Sequence, residues 1–417
     1  MKTNYEYIII GGGTGGIMTA AQLLKKKITK DVALIEPADT HFYQPAWTLV
    51  GAGAFNYEQT KKPMKDLIPS GADWIKDFVD KVEPAENTIV LRSGERLTYD
   101  VLIASPGVVY DYGQVPGLKE ALEDPSSGVS SIYVDPKKTW SDLQQFKGGV
   151  ALFTQPNTPI KCGGAPQKIM YLADSAFRKQ GVRAASDVVF ATPGGVIFGV
   201  KPIKETLMKV VNRKDINLRF GHQLVAIDAA KKVAWYKLGD NQGKHGTAAV
   251  KTIEEDGKIG IPYTILHTAP PSKAPAFLAE SGLCNDNGWM NVDQYTLQHK
   301  EYPNIFGIGD AAALPTAKTG AAIRKQVPIV IKNIQAYKKG LSELPEKYNG
   351  YSSCPLVTDY GKMVLAEFDY DSNFTPDPKL KWLFVFDSSK ESWILWLFKK
   401  FGLPYLYWKK MMKGEEV

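Results

Sequence analysis

The chain has 417 residues, 44% of them hydrophobic and 23% charged, with a net charge of +7. That is enough for two or three domains with ample cores and excludes a disordered chain. The modest positive balance suits an anionic cofactor, an anionic membrane surface or nucleic acid and does not choose among them.

The first element is an apolar run at 7–10, which fits a buried strand. Gly11, Gly13 and Gly16 then make a G-x-G-x-x-G loop, followed by a helical pattern (Ile17, Ala20, Ala21, Leu24), a second strand at 32–35 and an acid, Glu36. Gly11 permits the tight turn, Gly13 lets the backbone approach a pyrophosphate, and Gly16 lets helix and strand pack closely. The helix N-terminus offers free N–H groups and a positive dipole to phosphates. Glu36 stands about twenty residues past the loop, where a carboxylate accepts from a ribose hydroxyl. Strand, loop, helix, strand and acid in register predict a dinucleotide site. The aromatic loop 41–53 follows, where the ring end of a long cofactor would pass. Val79 stands where flavoproteins of this type contact adenine through the backbone, and the small-residue turn Ser105-Pro106-Gly107 resembles the exit from a first dinucleotide domain.

A second α/β unit begins with a strand at 150–154, a helix at 166–178 and a strand at 188–192. A pyridine-nucleotide site would open there on another glycine fingerprint. The sequence ATPGGVIFGVKPI places Gly194, Gly195 and Gly199 at the wrong spacing, with no acid following. The second unit therefore reads as a dinucleotide fold that has lost its dinucleotide. NIFGIGD, ending in Gly309 and Asp310, is a second flavin signature, its carboxylate placed to accept from a ribityl chain. The segment 318–326 reads as a helix whose N-terminus, with Lys318, favours negative charge on a reduced flavin. Two separated pieces thus build one FAD domain around an inserted second domain.

From residue 381 onward WLFVF, WILWLF and FGLPYLYW alternate with Lys399, Lys400, Lys409, Lys410 and Lys413. Each block is too short to span a bilayer, and aromatics with lysines fit a segment lying in the headgroup region; the other reading is a terminal helix packed on the core or on a dimer partner. The chain shows no charged-then-apolar leader, so no signal peptide is expected. Three cysteines, Cys162, Cys284 and Cys354, are too few for a disulfide scaffold and lack metal spacing, so no metal is expected. Cys162 lies in NTPIKCGGAPQK, beside Lys161 and before a helix, a setting that favours thiolate. Cys354 lies in a turn-like segment entering a strand, and Cys284 in a polar loop.

Through GGGTGG, IEPADTHFYQPAWTLVGAG, NTPIKCGGAPQKIMY, FGIGD with PTAKT, and YSSCPLVTDYGKMVLAEFDY, the chain resembles sulfide:quinone oxidoreductases along nearly its whole length. These are flavoproteins of the disulfide-reductase-like superfamily, and the likeness is greatest to the group that includes the animal mitochondrial enzyme. The resemblance implies an α/β fold of two Rossmann-like domains plus a C-terminal amphipathic membrane-binding region. The expected boundaries are 1–115 with 286–345 for the FAD domain, 116–285 for the second domain and 346–417 for the redox-cysteine and membrane region. It implies Cys162 and Cys354 as the redox pair carrying sulfane sulfur, and FAD contacts at Thr14, Gly15, Glu36, Gln44, Val79, Asp310, Lys318 and Thr319. It also implies hydrogen sulfide and a membrane quinone as substrates, a peripheral, monotopic attachment to a membrane surface, and no nucleic acid. The sulfur acceptor and a homo-oligomeric state stay open. Many bacterial members carry a third cysteine near the front of the second domain; this chain has none between Gly107 and Cys162, which favours a two-cysteine mechanism. The rival enzymes are a single-subunit NADH:quinone oxidoreductase, which needs an intact second fingerprint, and the flavin subunit of a cytochrome-linked sulfide dehydrogenase, which needs no membrane segment.

Overall fold

The computed structural model describes residues 2–246 and 250–417. The first sheet runs Ala72–Ile75, Val32–Ile35, Asn4–Ile10, Arg96–Ala104, all parallel. Ile305–Gly307 joins the C-terminal half of Arg96–Ala104 in parallel, and the hairpin of Val79–Glu83 and Thr88–Leu91 joins its N-terminal half antiparallel. The central strand carries apolar side chains on both faces, Tyr7 and Ile9 on one and Ile8 and Ile10 on the other, because helices and loops cover both sides of a parallel sheet. The helix Thr14–Lys25 begins directly off that strand. A second sheet orders Val129–Ser130, Ile265–Thr268, Gly149–Thr154, Ser186–Thr192 and Asn217–Asp228 in parallel, then continues antiparallel through Val233–His245, Lys258–Pro262 and Ile253–Glu255.

Two expected boundaries move. Ser272–Lys273 pairs with Val109–Tyr110, forming the two-stranded crossover between the units. Leu278 and Leu283 then pack with Ile8, Ala33 and Leu102 of the first sheet, so the chain re-enters the first unit near residue 272 and not at 286. Nor is 346–417 a separate region. Its hairpin, Ser352–Asp359 with Lys362–Phe368, packs on the helix Ala165–Lys179 of the second unit, while Tyr407, Trp408, Met411 and Met412 are buried among Ile17, Met18 and Val327 of the first. The expectation of a wholly interfacial segment fails for this half, because those side chains fill a groove beside the helix Thr14–Lys25.

A charged network holds the hairpin in place. Asp174, fully buried on the helix Ala165–Lys179, receives Arg178, Arg183 and Lys214, and Lys214 also reaches Asp359 at the end of the strand that carries Cys354. Ser175 donates to the same Asp359 carboxylate at 2.7 Å. Lys214 is 3% exposed, so removing it leaves buried carboxylate charge short of a partner. Lys214→Met should therefore destabilise the fold by about 3 kcal/mol, read as a lowered midpoint in thermal or urea unfolding of the full chain; a midpoint at the wild-type value would show that the pair contributes nothing net.

Candidate functional site

A cavity of about 800 Å³ runs between the two units, from the glycine loop past Cys162 to the C-terminal segment. At its first end the fingerprint has the expected geometry. Gly11 takes φ +97° against the carbonyl of Ser105, and a Cβ on Gly16 would lie 1.8 Å from the Gly11 oxygen, so neither position accepts a side chain. The space over Gly13 is open, and the helix Thr14–Lys25 has no side-chain cap at its N-terminus. Its N–H groups are thus directed to a phosphate-sized acceptor. Gly13, Thr14, Gly15, Glu36, Gln44, Gly107, Asp310, Lys318 and Thr319 all line the cavity. Glu36 accepts from the N–H of Gly12 and of Ala38 at 2.7 Å each, which fixes its carboxylate at the lip. Val79 does not line the cavity; it is paired with Leu91 in the edge hairpin.

Lys318 sits before the helix and not in it: the helix is Gly320–Lys338, and Thr319 caps it by accepting from the Ala322 N–H at 3.2 Å. The Lys318 ammonium donates to the carbonyls of Asp310 and Ala312, at 2.5 and 3.2 Å. Burial lowers its pKa to about 8 despite the pull of Asp310, and burial likewise raises that of Asp310. The Lys318 carbonyl in turn accepts the N–H of Cys162 at 2.7 Å, tying the flavin-signature loop to the cysteine loop.

Cys162 and Cys354 are brought together with sulfurs 3.5 Å apart. Both are free thiols, since a disulfide would require about 2.05 Å. Cys162 adopts a left-handed φ of +53°, held by its N–H bond and by the Tyr133 hydroxyl donating to its carbonyl at 3.3 Å. Gly164 makes the approach possible: a Cβ there would stand 2.5 Å from the Cys354 sulfur. The sequence offered Lys161 as the thiolate's partner, but that ammonium donates to Gln44 at 2.8 Å. The partner is Lys168, one turn into the helix Ala165–Lys179, whose ammonium lies 3.0 Å from the Cys162 sulfur. Lys399 is a second buried cation near the pair. It lies in a π-helical turn, Phe398–Gly402, and donates to the Pro45 carbonyl at 2.8 Å. It was expected at the membrane headgroups and is 2% exposed instead.

These contacts split the two thiols. A hydrogen bond from Cys354, then the charge and hydrogen bond of Lys168 and the charge of Lys399, hold Cys162 well below the ordinary thiol range against the cost of its burial. Cys354 is pushed well above it, by its hydrogen bond to Cys162, by burial and by the charge on Cys162. Burial opposes the charge of Lys168, but the two sulfurs outweigh it and raise its pKa. Burial and the like charge of Lys168 lower Lys399 to about 7. In the reduced pair these shifts favour the thiolate on Cys162, which faces the cavity with the Lys168 ammonium alongside, and the thiol on Cys354. Cys284 has no such setting: it bridges to Met290, and burial alone raises its pKa.

The loop after Ser186–Thr192 folds inward, with Ile197 and Val200 buried and the Gln167 amide donating to the Ile197 carbonyl at 2.5 Å. Sequence reasoning missed Lys168, Lys399, Tyr133 and Tyr407. The Tyr407 hydroxyl meets Thr14 at 2.9 Å and His41 at 2.5 Å, closing the C-terminal segment over the glycine loop. An apolar residue count could not separate that tyrosine from its exposed neighbours. Among the described residues no group of three or more His, Cys, Asp or Glu side chains could hold a metal ion.

No protein-family profile matches the chain. Over 413 residues, covering 99% of this chain and 87% of the relative, it is 41% identical to the mitochondrial sulfide:quinone oxidoreductase of Mus musculus. It is 40% identical, over 99% of this chain and 87% of the relative, to the protein of that name from Dictyostelium discoideum. The solved sulfide:quinone oxidoreductase of Aquifex aeolicus superposes with a TM-score of 0.77, at 19% identity over 99% of this chain and 92% of that one, which shows the shared fold.

The cation beside Cys162 makes a titration prediction. Removing it should raise the Cys162 pKa, so that less thiolate is present at neutral pH. Lys168→Met should move the pH midpoint of iodoacetamide alkylation at Cys162 upward by about one unit, read from the full pH profile of the alkylation rate. An unmoved midpoint would assign the thiolate to some other cause.

Proposed function

The chain belongs to the sulfide:quinone oxidoreductase family, and we propose that Cys162 and Cys354 are its redox pair and that the cavity beside them takes FAD and a quinone. The protein oxidises sulfide with reduction of a quinone. The observation that carries the finer reading is the sulfur pair at 3.5 Å with a lysine at 3.0 Å on the cavity wall.

The residues present fit FAD. Gly11 and Gly16 close the turn, Gly13, Thr14 and Gly15 would hold the pyrophosphate, and Glu36 would accept from the ribose. Gln44, Gly107, Asp310, Lys318 and Thr319 line the part of the cavity nearer the cysteines. When bound, the flavin supplies a two-electron relay between the two half-reactions. Val79 serves the adenine end only from behind the wall.

The chain's own chemistry is thiol–disulfide exchange. In the oxidised protein the two sulfurs form a bridge. Hydrosulfide attacks the Cys354 sulfur, a new S–S bond forms there, the bridge breaks, and Cys162 leaves as thiolate. Cys162 is the better leaving group because its pKa is the depressed one. Lys168 holds the charge that remains. The sulfane sulfur on Cys354 then passes to an acceptor thiol or other nucleophile, leaving Cys354 as thiolate, and the bridge re-forms as the two thiolates give up the two electrons that end on the quinone. Sulfide thereby gives up two electrons, and the quinone takes two electrons and two protons.

The quinone reaches the cavity from a bilayer surface on this reading. No helix among the described residues is long and apolar enough to cross a membrane. Trp382, Phe384, Phe386, Trp393, Phe401 and Tyr405 are each more than half exposed, and Trp382 and Leu383 also line the cavity. An exposed aromatic rim with lysines around it suits partial insertion among headgroups, and it puts the cavity mouth where a lipid-soluble substrate resides.

Cys162→Ser and Cys354→Ser should each lower sulfide-dependent quinone reduction by about a thousandfold with bound FAD retained, and the double variant should be no worse, because the two residues act as a unit. Cys284→Ser should turn over normally. Turnover at the wild-type rate in either single variant, with FAD bound, would return both cysteines to inert core. A second test concerns the rim: Trp382→Ala/Phe384→Ala/Phe386→Ala should weaken partition onto phosphatidylcholine–phosphatidylglycerol vesicles by about thirtyfold or more, the expected loss of several buried aromatic faces. Sulfide should still bleach the flavin. Vesicle binding at full strength would place the membrane surface elsewhere.

A further inference from the structure

The hairpin that carries Cys354 has two chemically different faces. Its register pairs Cys354 with Ala366 and Leu356 with Val364, whereas Ser353 pairs with Glu367 and Pro355 with Leu365. Partners directly across an antiparallel pair share a face, and successive residues alternate. Cys354 therefore points to the helix Ala165–Lys179, while Ser353, Pro355, Leu365 and Glu367 all line the cavity.

On that second face stands Arg324, on the helix Gly320–Lys338, also lining the cavity. Its side chain is 17% exposed and is held on one side only. Its Nη2 donates to the Tyr351 hydroxyl and lies 3.3 Å from Glu367 Oε1, and Asp377 is 4.0 Å away. Glu367, 2% exposed, is fixed by the Tyr351 hydroxyl and by the Asp377 N–H at 2.9 Å. The Nε–H of Arg324 is buried and has no hydrogen-bond partner among the described residues. A buried donor left unpaired costs free energy that a fold normally avoids. Pro355, Leu365, Leu380 and Leu383 give the surrounding wall apolar surface beside Ser353, Glu367, Asp377 and Lys379.

We propose that Arg324 is a quinone-binding residue, its guanidinium donating to a quinone carbonyl oxygen. The ligand that fits is neutral, with an apolar body for Pro355, Leu365, Leu380 and Leu383 and a carbonyl acceptor for the guanidinium. The same cation stabilises the negative charge that builds on that oxygen as the ring takes up electrons, and Glu367 and Tyr351 keep the fork aimed. This rests on the assignment of the cavity to a quinone.

The test uses the FAD-loaded protein and decylubiquinone, with binding followed by quenching of tryptophan fluorescence. Arg324→Met should raise Kd about tenfold or more, the value of a hydrogen bond to a charged group. It should slow quinone-driven reoxidation while the rate of flavin bleaching by sulfide holds. Arg324→Lys, which keeps charge but loses the Nε–H, should fall between. The double variant Arg324→Met/Glu367→Met removes the unpaired carboxylate and should recover thermal stability without recovering Kd. An unchanged Kd in Arg324→Met, a wild-type Kd in the double variant, or loss of FAD in place of quinone affinity would each overturn the inference. If the wild type binds no decylubiquinone although sulfide bleaches its flavin, the assignment of the cavity falls and the inference with it.

Discussion

Two sulfurs contributed by residues 192 positions apart meet at 3.5 Å, and much of the architecture serves that contact. Cys162 reaches it by taking a left-handed backbone conformation, pinned through its N–H to the Lys318 carbonyl. Cys354 reaches it because Gly164 leaves room and because the Lys214–Asp359 pair anchors the far end of its strand. A left-handed non-glycine residue costs of order 1 kcal/mol and persists where its surroundings over-determine it. Here two loops and two units converge on it. The loop that positions the thiolate is thus bonded to the loop that carries Asp310 and Lys318 at the far side of the cavity wall.

The electrostatics follow from the same convergence. Two lysines are buried near one thiolate, and burial is unfavourable for both. Lys168 keeps its charge because the sulfurs repay the desolvation, and Lys399, farther along the same line, is drawn down to about 7. The thiols part accordingly, Cys162 held below the ordinary thiol range and Cys354 pushed above it. The C-terminal hairpin extends this division in space. Its strand alternation turns Cys354 toward the second unit and Ser353, Pro355, Leu365 and Glu367 toward the cavity.

The local features were legible in the sequence. Gly11, Gly13, Gly16 and Glu36 are spaced by a single strand–loop–helix unit, and Asp310 ends a short apolar strand. Cys162 precedes the helix Ala165–Lys179. What the sequence hid depends on contacts made at long range. Lys168 was masked by the nearer Lys161, whose side chain turns to Gln44. Lys399 and Tyr407 lie in an aromatic stretch where surface and core residues have the same composition, and only the packing against the first unit separates Tyr407 and Trp408 from Phe401 and Tyr405. The domain boundary moved from 286 to about 272 for the same reason: a two-residue strand pair, Ser272–Lys273 with Val109–Tyr110, leaves almost no sequence signal.

The central claim is that the two thiols have different fates, Cys162 retaining the thiolate and Cys354 receiving the sulfane sulfur. It is tested most directly by treating the FAD-loaded oxidised protein anaerobically with one equivalent of sulfide, alkylating it at once and mapping the peptides by mass. The account predicts one additional sulfur on the Cys354 peptide and simple alkylation at Cys162. The additional sulfur on the Cys162 peptide, with Cys354 simply alkylated, would contradict it.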